Sequence, residues 1–401
     1  MATLTNTKAG GRNSSGSSLG SIRAREVERF FGGALYHSRG GVAGRPFRLA
    51  PWQARDIVRP LFGTLLPDGR RQYRTAFIEL PRKNGKSSLA AGIALVLLFL
   101  DNEPGAEVLC LASDVDQARV VFGEAKRLVE GSPEILQAFR PIIYRDSIEY
   151  PETGSVLKVL SADEKGIHGR NPSGLVLDEL HTFSTRKERE FFIGATTAMG
   201  ARTTPLTVLI SSAGFAKDSI CYELHTYAAE IRSGVRDDPS FLSVHFGASE
   251  KDDWTDRDVW RKANPALSGP APFLSMQYLE DEFRQAEAMP SRQNAFRTFF
   301  LNQWVGQENR FIDLHLWDAS IGHPTTDADL PGRTGYVGID VASVDDLTVA
   351  ALLMPCRENA DMGRASEVLP ARVRAGETSP RGPVSTVSGR RLVDAHAGRN
   401  R

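Results

Sequence analysis

Residues 74–100 read RTAFIELPRKNGKSSLAAGIALVLLFL, which is an apolar strand, a basic turn and an apolar helix in direct succession. A helix that follows a buried strand in this way points its first backbone N–H groups and the positive end of its dipole at whatever lies over the turn. Phosphate is the natural ligand there. Lys86 can reach the outer phosphates, Gly85 lets the backbone approach them, and the hydroxyl of Ser87 can hold Mg²⁺, with Ser88 beside it.

The glycine that opens the usual phosphate loop is replaced here by Leu80. A Gly-Lys-Ser that arises by chance is therefore the alternative interpretation. The strand before the loop and the long apolar helix after it favour phosphate binding. That helix, residues 89–100, is too short to span a bilayer, so we interpret it as a core helix.

Length and composition are those of a globular protein with one large domain and part of a second. The chain has 401 residues, 41% of them hydrophobic, and a formal net charge of zero, so any contact with nucleic acid must come from local patches. Cys110, Cys221 and Cys356 are too few and too scattered for a disulfide framework or a metal knuckle. We expect them to be small buried residues in a reducing compartment.

After the first helix, apolar strands alternate with helices, which predicts an α/β fold with a mostly parallel central sheet. The predicted strands are residues 107–113, 156–162, 174–178 and 206–212, and the helix after the first of them is residues 115–130.

The strand at 174–178 forms the second motif, because it delivers Asp178 and Glu179 to its carboxyl end. Ligands of open α/β sheets lie in the crevice outside these strand ends. We expect Asp178 to hold Mg²⁺ through a water molecule and Glu179 to orient and deprotonate the attacking water. A solvated acidic turn is the alternative, and the presence of Lys86 and Ser87 upstream favours the catalytic interpretation.

Three further features fit a nucleotide site. Trp52 and Gln53 lie on an amphipathic helix before the loop, where Gln53 can read the edge of adenine; a surface Gln beside a core Trp is the alternative. Ser211 and Ser212 end the next strand and can sense the γ-phosphate, although Ser-Ser-Ala-Gly is also an ordinary turn. Arg170, on a Gly/Pro-rich loop, can stabilise charge on a neighbouring subunit's nucleotide or can simply be solvated.

Together these motifs resemble the large terminase subunit of tailed bacteriophages, the motor that packages DNA into procapsids. The resemblance covers roughly residues 30–355 and includes, in order, WQ at 52–53, PRKNGKS at 81–87, LDE at 177–179, ISSAG at 210–214, Asn264-Pro265, a helix at 276–289 and FRTFFLNQW at 296–304.

The resemblance implies a role for each matching residue. Its phosphate loop carries an early arginine, here Arg82, which accounts for Leu80. The implied roles are an adenine contact for Gln53, phosphate contacts for Arg82 and Lys86, the magnesium shell for Ser87 and Asp178, the catalytic carboxylate for Glu179, and coupling for Ser211 and Ser212.

It also implies cofactors, partners and a location. ATP and Mg²⁺ are the cofactors, and hydrolysis to ADP and phosphate is the reaction. Double-stranded phage DNA, the small terminase subunit and the portal of the procapsid are the partners. The active form is a homo-oligomer in the cytoplasm of the bacterial host, with no membrane.

The family carries a second, ribonuclease-H-like nuclease domain with a two-metal site. Its first strands match residues 335–354, where Asp340 lies inside an apolar strand and is a candidate ligand for a second divalent metal. One carboxylate does not make a two-metal site, so we expect nuclease activity to be lost or weak.

The tail, residues 357–401, has nine Arg, no Lys and no Ile, Phe, Tyr or Trp. This composition predicts disorder, and the family pattern ends after Met354. We interpret the tail as an altered reading frame or a truncated prophage gene; a genuine basic tail that binds DNA is the alternative.

The resulting organisation has five segments: a disordered arm at 1–22, a P-loop ATPase domain at 23–260, a helical linker at 261–330, a partial nuclease domain at 331–356 and a disordered tail at 357–401. Four aromatic residues of the linker share one predicted helical face, which indicates core packing: Phe296, Phe299, Phe300 and Trp304. A helicase-like ATPase, a pure endonuclease and an inactive prophage remnant are the rival interpretations.

Overall fold

The computed structural model describes residues 14–162, 167, 169–305, 332, 336–340, 349–354 and 367–368. The chain divides into two compact units, Met1–Phe311 and Ile312–Arg401.

The first unit is built on one eight-stranded sheet. In chain order the strands are β1 Thr75–Glu79, β2 Glu107–Ala112, β3 Ile142–Ile143, β4 Ser147–Tyr150, β5 Ser155–Ser161, β6 Gly174–Asp178, β7 Leu206–Ser211 and β8 Phe241–His245. Their spatial order is β3-β4-β5-β2-β6-β7-β1-β8.

The sheet is parallel from β5 to β8, and β3 and β4 add an antiparallel hairpin at one edge. Every residue of β6 and of β7 is buried. This explains their continuous apolar runs, because a parallel strand covered on both faces needs apolar side chains on both. The predicted mixed α/β fold and all four predicted strands are confirmed.

Helices cover both faces of the sheet. The α-helices that the structure describes are α1 Ser14–Ala34, α2 Arg59–Gly63, α3 Lys86–Phe99, α4 Val115–Glu130, α5 Pro133–Phe139, α6 Arg186–Thr197, α7 Ile220–Ser233, α8 Arg257–Ala263, α9 Met276–Ala288 and α10 Pro290–Leu301. One π-helical turn, Gln53–Val58, runs directly into α2.

Local sequence signals set the starts of several of these helices. The side chain of Asp114 accepts a hydrogen bond from the backbone N–H of Gln117 at the start of α4. Thr185 and Glu188 form a reciprocal capping box at the start of α6. Each cap satisfies backbone donors that the first helical turn leaves without a partner.

The helix α3 is almost entirely buried, with residues 89–99 inside the largest apolar cluster of the fold. This agrees with its interpretation as a core helix. Within the part of the chain that the structure describes, no helix is both long and apolar enough to cross a membrane. Cys110 and Cys221 are buried free thiols, as expected.

The helix α1 begins at Ser14, so the prediction of a disordered arm is wrong for residues 14–22. The physical reason is close packing against α2. Gly20 is buried, and a Cβ atom there would lie 2.0 Å from the carbonyl oxygen of Gly63. Two facing glycines let the backbones touch, which the Ser/Gly-rich composition of this segment conceals. Residues 1–13 of the predicted arm lie outside the described residues.

The helices α8, α9 and α10 form a third apolar cluster around the fully buried ring of Trp260, which contacts Phe283 and Phe296. The predicted single aromatic face is wrong in one respect. Trp304 lies beyond the end of α10 and packs with a different cluster, against Tyr222 of α7. The helix ends at Asn302, whose left-handed backbone turns the chain away before Trp304.

Among its described residues, the second unit has three short antiparallel strands in the order β11-β10-β9: β9 Tyr336–Asp340, β10 Val349–Met354 and β11 Glu367–Val368. The hairpin of β9 and β10 confirms the two strands predicted at 335–354. The prediction of a structureless tail is wrong at β11, where the backbone pairs with the free side of β10. The other residues of 357–401 lie outside the described residues.

Packing of α1 on α3 generates a stability prediction. A Cβ atom on Gly92 would lie 2.2 Å from the buried ring of Phe31. We therefore expect Gly92→Ala to lower the free energy of unfolding by about 1–3 kcal/mol, because overpacking outweighs the gain in helix propensity. Urea denaturation measures this change.

Gly123→Ala in α4 is the matched control. The new Cβ atom meets only the end of the flexible Arg127 side chain, at 3.4 Å. This substitution should leave stability unchanged or raise it by up to about 1 kcal/mol. Equal effects of the two substitutions would contradict the packing described for Gly92.

Candidate active site

The loop between β1 and α3 is held in a conformation that requires glycine. Gly85 has φ of 75° and ψ of 23°, in the left-handed region. A Cβ atom there would lie 3.3 Å from the ring of Phe273 and 3.5 Å from Nε2 of Gln53. Gly85 therefore serves both the turn and the close approach of neighbouring side chains, as the loop motif predicts.

The sheet order brings the two sequence motifs together. The strand β7 lies between β1 and β6, so the carboxyl ends of all three meet at one edge. Ser87 Oγ donates a hydrogen bond of 2.5 Å to Oδ2 of Asp178. The loop and the acidic strand end also line a cleft of about 700 Å³, together with Gln117, Thr182, Tyr278 and Phe300. The predicted pairing of the motifs is thus present in the geometry.

Lys86 is 5% exposed and folds back over the loop. Its Nζ donates to the carbonyl oxygens of Leu80 and Pro81 at 3.2 and 3.3 Å, and lies 3.7 Å from Oε1 of Glu179. Burial lowers the pKa of Lys86, and the charges of Glu179 and Asp178 oppose that effect. The ammonium group therefore lies between the loop carbonyls and the Glu179 carboxylate at the edge of the cleft.

The two acidic residues have opposite pKa shifts. Burial, followed by the charge of Glu179, raises the pKa of Asp178. Burial also acts to raise the pKa of Glu179, but the hydrogen bond from His181 and the charge of Lys86 outweigh it and hold that pKa below its usual value. Glu179 is therefore ionised, as a carboxylate that accepts a proton must be.

The backbone at Glu179 is unusual, with φ of 56° and ψ of 47°. Left-handed geometry is rare for a residue with a Cβ atom and costs free energy. Its N–H donates to the carbonyl of Ile210 in β7 and to Oδ1 of Asp178. This turn aims the Glu179 side chain into the cleft directly after the strand ends.

His181 is a site residue that the sequence analysis missed. Its Nδ1 lies 3.1 Å from Oε2 of Glu179 and 3.3 Å from Oγ of Ser211, whose Oγ also accepts the backbone N–H of His181. Ser212 Oγ lies 3.5 Å from the same carboxylate oxygen of Glu179. Ser212 therefore contacts the carboxylate directly, and Ser211, the last residue of β7, is connected to it through His181. The sequence signal that could have identified His181 is its position two residues after Glu179.

Asn84 ties the loop to the helical layer. Its side chain is fully buried, donates to Oδ1 of Asn264 at 2.8 Å and accepts the backbone N–H of Ala266 at 3.1 Å. Asn264 in turn donates to the carbonyls of Trp260 and Phe300. These bonds span about 180 residues of sequence, which is why local motifs did not reveal them.

Arg82 makes a second connection to the helical layer. Its guanidinium lies 3.5 Å from the ring centroid of Phe299, and its backbone N–H donates to the carbonyl of Phe299. The side chain is exposed at the edge of the cleft. Stacking on an aromatic ring fixes the orientation of a cation that remains available to an anionic ligand.

Gln53 lies on the π-helical turn and is 3% exposed. Its Oε1 accepts the backbone N–H of Ala50 at 2.9 Å, which leaves Nε2 on the side of Gly85. π-Helical turns are frequent at functional sites because they re-aim side chains. Gln53 is therefore adjacent to the loop, and its predicted contact with adenine stays a prediction.

Arg170 is not brought to this site within the chain. It contacts Glu107 at 2.5 Å, at the start of β2, whereas the site lies at the carboxyl ends of the strands.

The strand β9 places the backbone of Asp340 in the second unit, and the side chain of Asp340 lies outside the described residues.

Two family models match this chain. The model of the terminase large subunit ATPase domain matches residues 51–230, and the model of the terminase large subunit endonuclease domain matches residues 235–382. The second match extends past Met354, so the expectation that the family pattern ends there is wrong. Low apolar content after Met354 concealed it.

Pairwise sequence comparison also identifies terminase large subunits as relatives of this chain. The chain is 30% identical over 316 residues to the terminase large subunit of Enterobacteria phage HK97, covering 78% of this chain and 58% of the relative. It is 25% identical over 283 residues to the terminase large subunit of Lactococcus phage p2, covering 69% and 50%.

A solved structure, of the HK97 bacteriophage large terminase, is similar with a TM-score of 0.59 and 26% sequence identity, covering 84% of this chain and 66% of that one. The chain therefore spans between half and two thirds of the length of the relatives and the solved structure that it matches.

The asparagine pair generates a prediction about how the loop is held. In a double-mutant cycle of Asn84→Ala and Asn264→Ala, each single substitution should lower the free energy of unfolding by about 1–3 kcal/mol, because it leaves buried polar groups without partners. The two effects should be non-additive by about 0.5–3 kcal/mol, since the residues contact each other.

Chemical denaturation measures all three variants. The exposed Asn171 provides the control, and Asn171→Ala should change stability by no more than about 0.5 kcal/mol. Strict additivity of the two buried substitutions would show that the contact does not connect the loop to the helical layer.

Proposed function

The chain belongs to the terminase large-subunit family, and on that premise we propose that it is a motor subunit that hydrolyses ATP to translocate viral DNA into procapsids. The observation that carries this proposal is the contact of Ser87 with Asp178, beside Lys86 and Glu179 at the carboxyl edge of the sheet. This is the arrangement that a phosphate loop needs to bind and cleave a nucleoside triphosphate.

The proposed reaction converts ATP and water into ADP and phosphate. Lys86 and Arg82 bind the phosphates with the first N–H groups of α3, and Ser88 adds a hydroxyl from the first turn of that helix. Glu179 orients the attacking water and accepts its proton. His181 keeps the carboxylate in place through its 3.1 Å contact.

The donors at the site fit Mg²⁺. Ser87 Oγ and Asp178 Oδ2 are both oxygen ligands within 2.5 Å of each other, and a hard divalent cation prefers such oxygens. When bound, Mg²⁺ neutralises the charge that develops on the phosphates. Ser87 and Asp178 would hold it, the latter directly or through water.

Two other residues complete the proposed nucleotide site. Gln53 contacts adenine through Nε2, since its Oε1 is already bonded to Ala50. Ser211 and Ser212 couple the state of the γ-phosphate to β7, and their contacts with His181 and Glu179 support that role.

We assign Arg170 to a neighbouring subunit's nucleotide, and its distance from the site of its own chain is consistent with action between subunits. This role requires a homo-oligomer. Double-stranded phage DNA, the small terminase subunit and the portal are the other proposed partners, in the cytoplasm of the bacterial host.

For the nuclease region we propose little or no cleavage by this chain. Glu367 pairs with Met354 at one end of β10, whereas Asp340 pairs with Val349 at the other end. Five residues of strand separate these ends by about 16 Å, far more than the spacing of a two-metal site. The backbones of Glu367 and Asp340 therefore lie too far apart for this pairing to support a shared metal site.

Steady-state ATP hydrolysis tests the motor proposal. With Mg²⁺ and double-stranded DNA, Glu179→Gln should reduce turnover by about 10²–10⁴-fold, because it removes the proton acceptor. Nucleotide binding should remain, since Lys86 and the loop are intact. Glu190→Gln, an exposed carboxylate on α6, is the matched control and should retain wild-type turnover.

Turnover of folded Glu179→Gln at the wild-type rate would contradict the assigned role. If neither protein binds or hydrolyses ATP although both are folded, the chain is an inactive remnant of the family.

Plasmid cleavage tests the nuclease proposal. We expect the wild-type chain, with Mg²⁺ or Mn²⁺, to convert no more supercoiled plasmid than Asp340→Asn does. Cleavage by the wild type that Asp340→Asn abolishes would show that a complete metal site forms.

A further inference from the structure

A second cluster of ligand-type side chains lies on the other side of β1 from α3. Glu79 is the last residue of β1 and is fully buried. His245, the last residue of β8, is its register partner on the neighbouring strand. His225 reaches the same carboxylate from α7. Three separate elements thus converge on one side chain.

The three residues are in direct contact. Nδ1 of His225 lies 2.9 Å from each carboxylate oxygen of Glu79, and Nδ1 of His245 lies 3.1 Å from Oε2. One ligand atom from each residue falls within 4.8 Å of the other two. Trp304 covers the cluster and donates from Nε1 to Oε1 of Glu79 at 3.4 Å.

We propose that Glu79, His225 and His245 form a site for one divalent transition-metal ion of the zinc class, separate from the Mg²⁺ site of the nucleotide cleft. Two imidazole nitrogens and one carboxylate are a common protein ligand set for such ions. Mg²⁺ prefers oxygen ligands in octahedral geometry, so the same donors select against it.

The distances between the Glu79 carboxylate and each imidazole leave only a small adjustment for metal binding. With ligands about 2.0–2.1 Å from a tetrahedral zinc ion, neighbouring donor atoms are about 3.3 Å apart. The contacts of 2.9 and 3.1 Å between Nδ1 and carboxylate oxygens must therefore widen by about 0.2–0.4 Å. Side-chain rotation supplies a shift of this size without moving the backbone.

The histidines can also exchange their hydrogen bonds to Glu79 for bonds to a metal ion without losing a proton. A neutral imidazole that donates Nδ1–H to Glu79 becomes a ligand when its proton moves to Nε2, a tautomer change that releases no net proton. Both imidazoles are partly exposed, at 21% and 19%, so the ion has a route to the buried carboxylate.

The charge at the cluster favours a cation. Glu79 is fully buried, and its carboxylate oxygens contact the Nδ1 atoms of His225 and His245. The charge of Arg232 also interacts favourably with Glu79. The Nη1 atom of Arg232, however, donates its hydrogen bond to Ser243 Oγ, at 2.6 Å. A divalent ion between the two imidazoles would compensate the buried carboxylate directly.

The location suggests what the ion does. Glu79 is the last residue of the strand that enters the phosphate loop, and His225 and His245 belong to the neighbouring helix and the edge strand. An ion held by all three connects α7 and β8 to β1. Binding would therefore stabilise the folded chain whether or not nucleotide is present.

Calorimetric titration of the metal-free full-length chain with Zn²⁺, in millimolar Mg²⁺, tests this inference. We expect saturable binding of one ion and a rise in the unfolding temperature. His225→Asn and His245→Asn should each weaken Zn²⁺ binding at least tenfold, since even changes around the ligands cost 10–100-fold. An Asn amide can still donate to Glu79, which preserves the fold.

His37→Asn is the matched control, because His37 packs on Phe47 away from the cluster. It should bind Zn²⁺ as the wild type does. In addition, Co²⁺ should give the wild type the intense visible absorption of a four-coordinate site, a readout that needs no variant.

Two outcomes would overturn the inference. The first is the absence of saturable 1:1 binding to the folded wild type, which would make the cluster a hydrogen-bonded one only. The second is equal binding by the wild type and both Asn variants, which would show that surface groups bind the ion. Neither outcome depends on ATP hydrolysis.

Discussion

The 2.5 Å hydrogen bond from Ser87 to Asp178 crosses the end of β7 and joins the phosphate loop to the acidic strand end. It exists only because the chain places β7 between β1 and β6, so that all three strands end at the same edge of the sheet. The other parts of the site are arranged around this contact. Lys86 lies beside it, and Glu179 turns into the cleft immediately after it.

The loop is also fixed from the opposite side. Asn84 and the backbone of Arg82 bond to residues of α8–α10, so that the helical layer and the sheet hold the loop between them. A rigid loop keeps its N–H groups oriented before a ligand arrives, which is the condition for electrostatic stabilisation of a developing charge. On the far face of β1, Glu79 anchors α7 and β8 by its contacts with two histidines. The strand that carries the loop is thus secured on both faces.

Much of this could be predicted from the sequence, because its signals are local. The loop, the strand that ends at Asp178 and the parallel sheet each follow from short apolar runs with polar ends. Other features depend on contacts distant in sequence, such as Asn84 with Asn264 or Glu79 with His225, and no local pattern encodes them. The early start of α1 follows from the packing of Gly20 on Gly63, which composition misrepresents as disorder. The roles of Arg170 and Asp340 remain predictions, because one depends on a neighbouring subunit and the other on side chains of the second unit.

The central claim is that residues 80–88 and the ends of β6 and β7 form one nucleotide site. Amide hydrogen exchange of the full chain carrying Glu179→Gln, with and without ATP and Mg²⁺, tests this claim most directly. We predict slower exchange in peptides that cover 80–88, 178–182 and 210–213, because bound phosphate occupies these N–H groups and orders the strand ends. Unchanged exchange in all three peptides at saturating ATP, from a folded protein, would contradict the account.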